Sequence, residues 1–364
     1  MTDPLEAPER AAVSAVLAAA WGTPVTLVSA TGLASRDHVA RVTTGEGRSA
    51  VVKRPRPAGD SPWPVDPEGL RLEWASLDHL DRTAPGVAPR LFGGDDALGV
   101  VAMEELPDGR TLADALLGGD AGVARGDVLA WSRTMAAMHA GTLGTADGFA
   151  AARRRRALPA VRAPWWLERL DAAVPAFATI APASGVAADI ARIRALLTRV
   201  HVGLVHGDPC PDNVLISVAG CRLVDFERAS MASVALDFAY LLAPFPSCWC
   251  FGRLPPGLVA EAAAEYEGAV TAAGVELGDV WTEAVAAALA LFAVVRVGNQ
   301  TASPDDGSPW GTTTMGPRLA AWTGSLLAAP GNDAFPHVTA AVAAWREAQG
   351  FAGADPAPGY PAFG

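Results

Sequence analysis

Lysine is almost missing from this 364-residue chain. Lys53 stands alone among 28 Lys and Arg residues, so the other 27 are arginine. A composition this rich in Ala, Gly, Pro and Arg points to a GC-rich genome, in which lysine codons drift to arginine codons. Drift of that kind makes each arginine uninformative and the surviving lysine informative. An ammonium is compact and a guanidinium is a broad fork, so a site that needs the first does not accept the second.

Basic charge is also in short supply. The net charge is −11. From Met231 onward there are 12 acidic and 4 basic residues, a balance of −8, which leaves −3 for the first 230. An acidic C-terminal region argues against nucleic acid as a partner. It favours a neutral or cationic partner, with a solvated acidic surface as the plain alternative. Cysteine is sparse: Cys210, Cys221, Cys248 and Cys250. The Cys-x-Cys pair has no companion histidine cluster, which argues against a zinc centre and for free, partly buried thiols. Long uncharged apolar runs are lacking too. The Ala-rich stretch 284–295 falls short of the roughly 18 residues of a membrane span. The early run from Ala11 to Trp21 follows Asp3, Glu6 and Glu9, where an export signal would be positive, so it reads as a helix. The expectation is a cytoplasmic protein without a membrane segment.

What remains is ordered into two parts. Residues 1–103 carry the N-terminal helix, strands at 24–30, 37–44 and 49–55, and then a helix with Leu70, Trp74, Leu77 and Leu80 at helical spacing. Two further strands follow, at 89–94 and 98–106. Residues 104–350 read as mainly helical. A short helix stops at Gly118 and Gly119, and Asp127 is placed to cap the next one. Residues 142–185 read as loop-rich, with the arginine run 153–156 as a solvated face. After a helix at 185–200, residues 203–225 switch to a hairpin turning at Ala219 and Gly220. Helices follow at about 233–243, 256–273, 279–299, 315–328 and 335–348. The Gly/Pro/Ala-rich end, 351–364, reads as a flexible tail. The class is α+β.

The chemistry concentrates in "HGDPCPDN", residues 206–213, and "VDFE", residues 224–227. Asp208 and Asn213 lie five apart in a proline-containing loop. The hairpin brings Asn213 and Asp225 to one end. One carboxylate and one amide oxygen suit Mg²⁺ carrying phosphates. Asp208 lies nearby, free to accept a proton from an attacking hydroxyl. His-x-Asp-x-x-x-x-Asn followed by Asp-Phe is the catalytic arrangement of kinases.

On these residues the chain resembles the aminoglycoside phosphotransferase and choline kinase branch of the protein-kinase-like fold, over roughly 25–245. Gly207 stands where protein kinases have Arg, Glu227 ends the metal motif in place of Gly, and no Ala-Pro-Glu segment follows Asp225. The resemblance implies a bilobal fold with a small antiparallel-sheet lobe and a larger helical one. It implies Asp208 as catalytic base and Asn213 and Asp225 as Mg²⁺ ligands. Lys53 would contact the α- and β-phosphates of ATP. Its holder would be Glu73, which matches Glu-x-x-x-Leu-x-x-Leu with Leu77 and Leu80, or else Glu68. Met103 would line the base pocket, and the backbone from Glu104 to Leu106 would meet adenine. Nothing there decides ATP over GTP. Only Gly32 remains of a glycine-rich loop, which leaves Ser35 to cover the phosphates or a plain turn. His206, His139 and Asp237 take structural roles.

The implied activity is ATP- and Mg²⁺-dependent transfer of the γ-phosphoryl group to the hydroxyl of a small molecule. An antibiotic acceptor comes first, a cationic one matching the acidic region. Trp249, Trp281, Trp310 and Trp322 are candidates to stack on it, against a helix-core reading for most of them. Loops 244–252 and 305–316 are candidates to touch it. A choline, amino-alcohol or sugar kinase is the rival. A non-catalytic nucleotide-binding regulator is the reading from another class.

Overall fold

Helix α1 (Ala7–Trp21) covers one face of a five-stranded antiparallel sheet. Its strands are β1 (Leu27–Leu33), β2 (Arg36–Thr44), β3 (Ser49–Lys53), β4 (Leu91–Asp95) and β5 (Val100–Met103), in spatial order β1-β2-β3-β5-β4. Helix α2 (Pro67–Thr83) is inserted between β3 and β4. This is a computed structural model, and it describes residues 4–33, 36–55, 67–106, 109–160, 163–180, 183–243, 245, 247–302, 307–351 and 357–364.

Strand parity decides what reaches the interior of the cleft. Ala50 and Val52 of β3 join Val100 and Ala102 of β5 in a core with Val13 and Leu17 of α1. Val51, Val101 and Met103 pack into the other, larger core. Lys53 has the parity of Val51 and pairs in register with Val101, so its side chain leaves on that second face. Helix period does the same for α2. Leu70, Glu73, Leu77 and Leu80 fall on one stripe, and each is only 1% exposed. The spacing therefore drives a carboxylate into the interior, where it needs a cation.

The larger part begins with β6 (Arg110–Thr111), α3 (Leu112–Leu117), α4 (Ala121–Thr142), α5 (Ala146–Arg155), α6 (Trp165–Phe177) and α7 (Ala183–Arg199). Short strands β7 (Val202–Val205), β8 (Val214–Ser217), β9 (Gly220–Leu223) and β10 (Ser230–Ser233) follow. The strands form an antiparallel pair β7-β10 and a sheet β6-β8-β9. Helices α8 (Ala235–Leu242), α9 (Pro256–Ala272), α10 (Val280–Ala302), α11 (Met315–Ala328) and α12 (Pro336–Ala348) complete it. By length and composition α10 could cross a membrane, but 78% of its most apolar stretch is buried inside the protein. It is the central core helix, packed on α6, α7, α8 and α11.

Several expectations are corrected. Residues 142–185 are largely helical, in α5 and α6, and α6 carries Pro175 within its last turn. Asp127 does not cap α4; Asp120 does, accepting from the N–H groups of Gly122 and Val123. Asp127 instead forms a bidentate pair with Arg110. The arginine run is not a free solvated face. Arg153 is buried and donates to the Pro159 carbonyl. Arg155 binds Asp78 of α2, and Arg156 binds Asp96 while lying 3.7 Å over the Trp74 ring. The described end of the expected tail is packed: Tyr360 is 1% exposed, and Arg253 pairs with Gly359. All four cysteines are buried.

Candidate active site

Three oxygens surround one ammonium. Lys53 Nζ donates to Glu73 Oε1 at 2.7 Å, Glu73 Oε2 at 2.8 Å and Asp225 Oδ1 at 2.8 Å. An ammonium has three donors on one nitrogen, and each finds an acceptor. Burial works against the Lys53 charge, but Asp225 and Glu73 outweigh it and hold the group above its ordinary 10.5. Burial pushes the Glu73 carboxyl up, with Lys53 opposing. Of the two glutamates left open by the sequence, Glu73 is the partner.

Asp225 joins the sheet lobe to the helical lobe through this contact. It sits just after β9 with φ of 75°, a left-handed conformation that Asp tolerates better than most side chains. The hairpin β8-β9 sets its position: Val214 pairs with Leu223, and the Val224 N–H donates to the Asn213 carbonyl at 2.9 Å. Asn213 and Asp225 therefore leave the same end of the hairpin. The Asn213 amide nitrogen donates to the Asp208 carbonyl at 3.0 Å, so its side-chain oxygen remains for other use. An amide oxygen and a carboxylate are hard donors of the kind a divalent cation such as Mg²⁺ takes.

The loop that carries Asp208 is fixed from behind. The buried Asp237 carboxylate accepts the N–H groups of His206 and Gly207, at 2.5 and 3.1 Å, and contacts His139 Nε2 at 3.2 Å. His206 Nε2 faces the Val224 carbonyl at 2.8 Å, so that nitrogen carries the proton, and Nδ1 accepts the Asp208 N–H. His206 thus ties the two motifs together. Gly207 has φ of 81°, and a Cβ there would meet the Arg228 carbonyl at 2.5 Å. Glycine is required at this position. Trp166 Nε1 caps the Gly207 carbonyl at 3.0 Å.

Asp208 Oδ1 accepts from Ser247 Oγ at 2.5 Å and from the Cys210 thiol at 3.0 Å. Ser247 was not foreseen. It lies 39 residues away in a loop without periodicity, and only its place in the suspected loop 244–252 hinted at it. That loop is stitched to the second suspected one: the Thr312 N–H donates to the Trp249 carbonyl, and buried Arg318 binds the carbonyls of Cys248, Trp249 and Trp310. The tryptophans divide. Trp281 and Trp322 are core residues, at 5% and 1% exposure, whereas Trp249 and Trp310 are exposed at 41% and 38%. Glu261, Glu265 and Glu283 of the acidic region are engaged by Arg125, Arg133 and Arg192, as a solvated surface would have them.

At the hinge, Met103 is buried and the Glu104 N–H is taken by the Arg90 carbonyl at 2.8 Å. A purine edge would therefore meet the Glu104 carbonyl and the Leu106 N–H. Glu105 turns back to bind Arg41 of β2. Ser35 lies outside the described residues. Glu227 is pushed up to about 7 by burial and by the neighbouring Asp225.

The sequence profile of the phosphotransferase enzyme family matches residues 29–277. The chain belongs to that family. Among solved structures, one with a TM-score of 0.50 supports a shared fold. A choline/ethanolamine kinase family protein from Mesorhizobium loti is 15% identical, covers 91% of this chain and 97% of its own, and superposes with a TM-score of 0.50. An aminoglycoside phosphotransferase from Alicyclobacillus acidocaldarius is 19% identical over 96% and 97% of the two chains, with a TM-score of 0.47. A macrolide 2'-phosphotransferase from Brachybacterium faecium is 18% identical over 80% and 94%, also at 0.47. Among curated proteins, none matches the chain. Membership of that family implies phosphoryl-transfer chemistry.

Proposed function

We propose that this phosphotransferase is an ATP- and Mg²⁺-dependent small-molecule kinase that phosphorylates a hydroxyl group, with an antibiotic-type acceptor ahead of a choline, amino-alcohol or sugar acceptor. The observation that carries the reading is the Lys53 ammonium between Glu73 and Asp225, together with an Asp208 whose Oδ1 is held by Ser247 and Cys210. In this reading Lys53 holds the α- and β-phosphates. Asn213 and Asp225 hold Mg²⁺, which neutralises phosphate charge when bound. The Asp208 carboxylate accepts the proton as the acceptor oxygen bonds to the γ-phosphorus and the bond from phosphorus to the β-phosphate oxygen breaks, releasing ADP. Glu104 and Leu106 meet adenine through their backbone, over Met103.

Support for the acceptor class is local. Trp249 and Trp310 are exposed, and Trp249, two residues from the Ser247 that meets Asp208, holds the Asp212 carboxylate through Nε1 at 3.0 Å. Aromatic faces beside a carboxylate suit a hydroxylated, amine-bearing molecule. The acidic helices lend less, because arginines engage them. The regulator reading loses ground because a protein without turnover has no need to hold Asp208 this closely.

The test is a coupled ADP-release assay over aminoglycosides, macrolides, nucleoside antibiotics, choline and sugars. Acceptor-dependent ADP release is expected, and Asp208→Asn should lower it by about 100-fold or more with MgATP binding nearly intact. Turnover equal to wild type in that variant removes Asp208 from its role. ATP binding without turnover on any acceptor favours the regulator.

A further inference from the structure

The four cysteines divide into one and three. Cys221 lies on β9, away from the others. Cys210 comes from the 206–213 loop, and Cys248 and Cys250 come from the loop before α9. Ligand atoms of Cys210, Cys248 and Asp212 all lie within 4.8 Å of one another. Cys250 Sγ touches Cys248 Sγ at 2.7 Å. The three thiols are 3%, 2% and 0% exposed, while Asp212 is only partly buried and opens the cluster to solvent.

We propose that Cys210, Asp212, Cys248 and Cys250 form a binding site for a soft divalent cation of the zinc class. A tetrahedral ion with sulfur at about 2.3 Å spaces its ligand atoms about 3.8 Å apart. The ligand atoms of Cys210, Asp212 and Cys248 lie within 4.8 Å of one another, so a shift of about an ångström or less brings them to that spacing. Cys250 needs to turn away from Cys248 by about an ångström to take the fourth corner. Sulfur donors separate this site from the hard oxygens of Asn213 and Asp225, so the two take different metals.

Two neighbours behave as the outer support of such a site. The Trp249 indole N–H holds Asp212 Oδ2 at 3.0 Å, which leaves Oδ1 aimed at Cys248 Sγ, 3.6 Å away. Arg318 is 0% exposed, and among the described residues no carboxylate pairs with it. Its nitrogens reach only carbonyls: Cys248 at 2.7 Å, Trp249 at 3.3 Å and Trp310 at 2.5 Å. A buried guanidinium needs opposite charge. Three thiolates and one carboxylate around a divalent ion carry a net charge of about −2 and supply it. Binding forms metal–sulfur bonds and releases the three thiol protons to solvent, with no change of oxidation state. One of those protons is the Cys210 donor to Asp208 Oδ1, so the bound ion alters the donor set of Asp208.

The experiment titrates the reduced, full-length protein with Co²⁺. One equivalent should bind with sulfur-to-cobalt charge-transfer absorption and be displaced by one equivalent of Zn²⁺. Cys248→Ser should weaken binding by about 100-fold or more, and Cys221→Ser should leave it unchanged. Absence of the absorption on wild type overturns the proposal, as does its survival in both Cys248→Ser and Cys210→Ser. If those variants do not fold, alkylation mapped on wild type decides. Zn²⁺ should protect Cys210, Cys248 and Cys250 but not Cys221, and equal labelling with and without metal overturns the site. A reduced protein that refuses metal and on oxidation loses two hydrogens from these thiols is a disulfide switch, which also overturns it.

Discussion

Replacing Lys53 by Met should destabilise the protein by an amount that depends on pH in a set way. The ammonium is 6% exposed and Glu73 is 1% exposed, so the variant leaves a carboxylate in the interior without its cation. The cheapest relief is protonation. A glutamate has an ordinary value of 4.5, so taking up a proton at pH 7 costs about 3.4 kcal/mol at ~1.36 kcal/mol per unit. That agrees with the roughly 3–5 kcal/mol for breaking a buried pair. The Asp225 side chain is 30% exposed, and water replaces much of what it loses. The sign follows from linkage. In the variant the folded state keeps the proton and the unfolded state releases it, so the penalty grows as pH rises above 4.5 and fades as pH falls towards it. Urea unfolding without nucleotide at pH 5, 6, 7 and 8 should show the gap from wild type widening by up to about 1.4 kcal/mol per unit. Adding Glu73→Gln should recover most of the loss. A penalty that is flat with pH, or below about 1 kcal/mol at pH 7, refutes a Glu73 carboxylate held in place by Lys53. Lys53→Arg keeps the charge, but its fork cannot put three donors of one nitrogen on three oxygens, and phosphate use should fall.

Ser247→Ala removes a donor to Asp208, and a lost bond to a charged group of about 1.5–3 kcal/mol corresponds to a kcat lower by roughly 10- to 100-fold; the KM for ATP should hardly move, since Ser247 acts through Asp208. His79 is depressed to about 4, first by burial and then by Arg82. The Thr145 hydroxyl donates to the Thr142 carbonyl, so His79 Nε2 must donate to it, and Nδ1 is buried without a partner among the described residues. Protonation has nowhere to put its hydrogen, so stability should be full above pH 6.5 and fall by up to about 3 kcal/mol between pH 6.5 and 4; thermal unfolding of His79→Leu across that window should lack the slope. Tyr360→Ala should cost about 3 kcal/mol in unfolding experiments, while Tyr360→Phe should cost nothing, because the buried hydroxyl has no partner among the described residues.

The sequence makes visible whatever is periodic or locally spaced. The five C-terminal helices fall within a few residues of their expected ends because their apolar stripes are long. The closeness of Asp208, Asn213 and Asp225 is legible because a short loop and the hairpin that follows it carry all three, whereas the choice of Glu73 over Glu68 needed the structure. What was hidden was short or distant. Strands β7 and β10 have four residues each, too few for alternation to declare itself. Helix α5 ends in charge and α6 contains proline, so both resembled loop. Ser247 reaches Asp208, and Cys248 reaches Cys210, across nearly forty residues of chain that no local pattern connects. Cys210 and Asp212, which lie beside the Cys-x-Cys pair, come from a different loop and so go unseen in the local sequence. In the acidic C-terminal region the solvated-surface alternative fits Glu261, Glu265 and Glu283, whose arginine partners lie on earlier helices.

A chain with a single ε-amine offers acylating reagents one address, and here that address is inside. Two carboxylates grip the Lys53 nitrogen and keep it protonated, so a general amine reagent meets an unreactive ammonium. If Lys53 holds the phosphates of ATP as proposed, a nucleotide-shaped acyl phosphate would bring its acyl group to that amine. Labelling of Lys53 followed by mass spectrometry would then report on nucleotide binding. Nor does the surface present any lysine for acetylation or ubiquitin attachment, and the cell has no route through that residue to tag this protein without first reaching into its cleft.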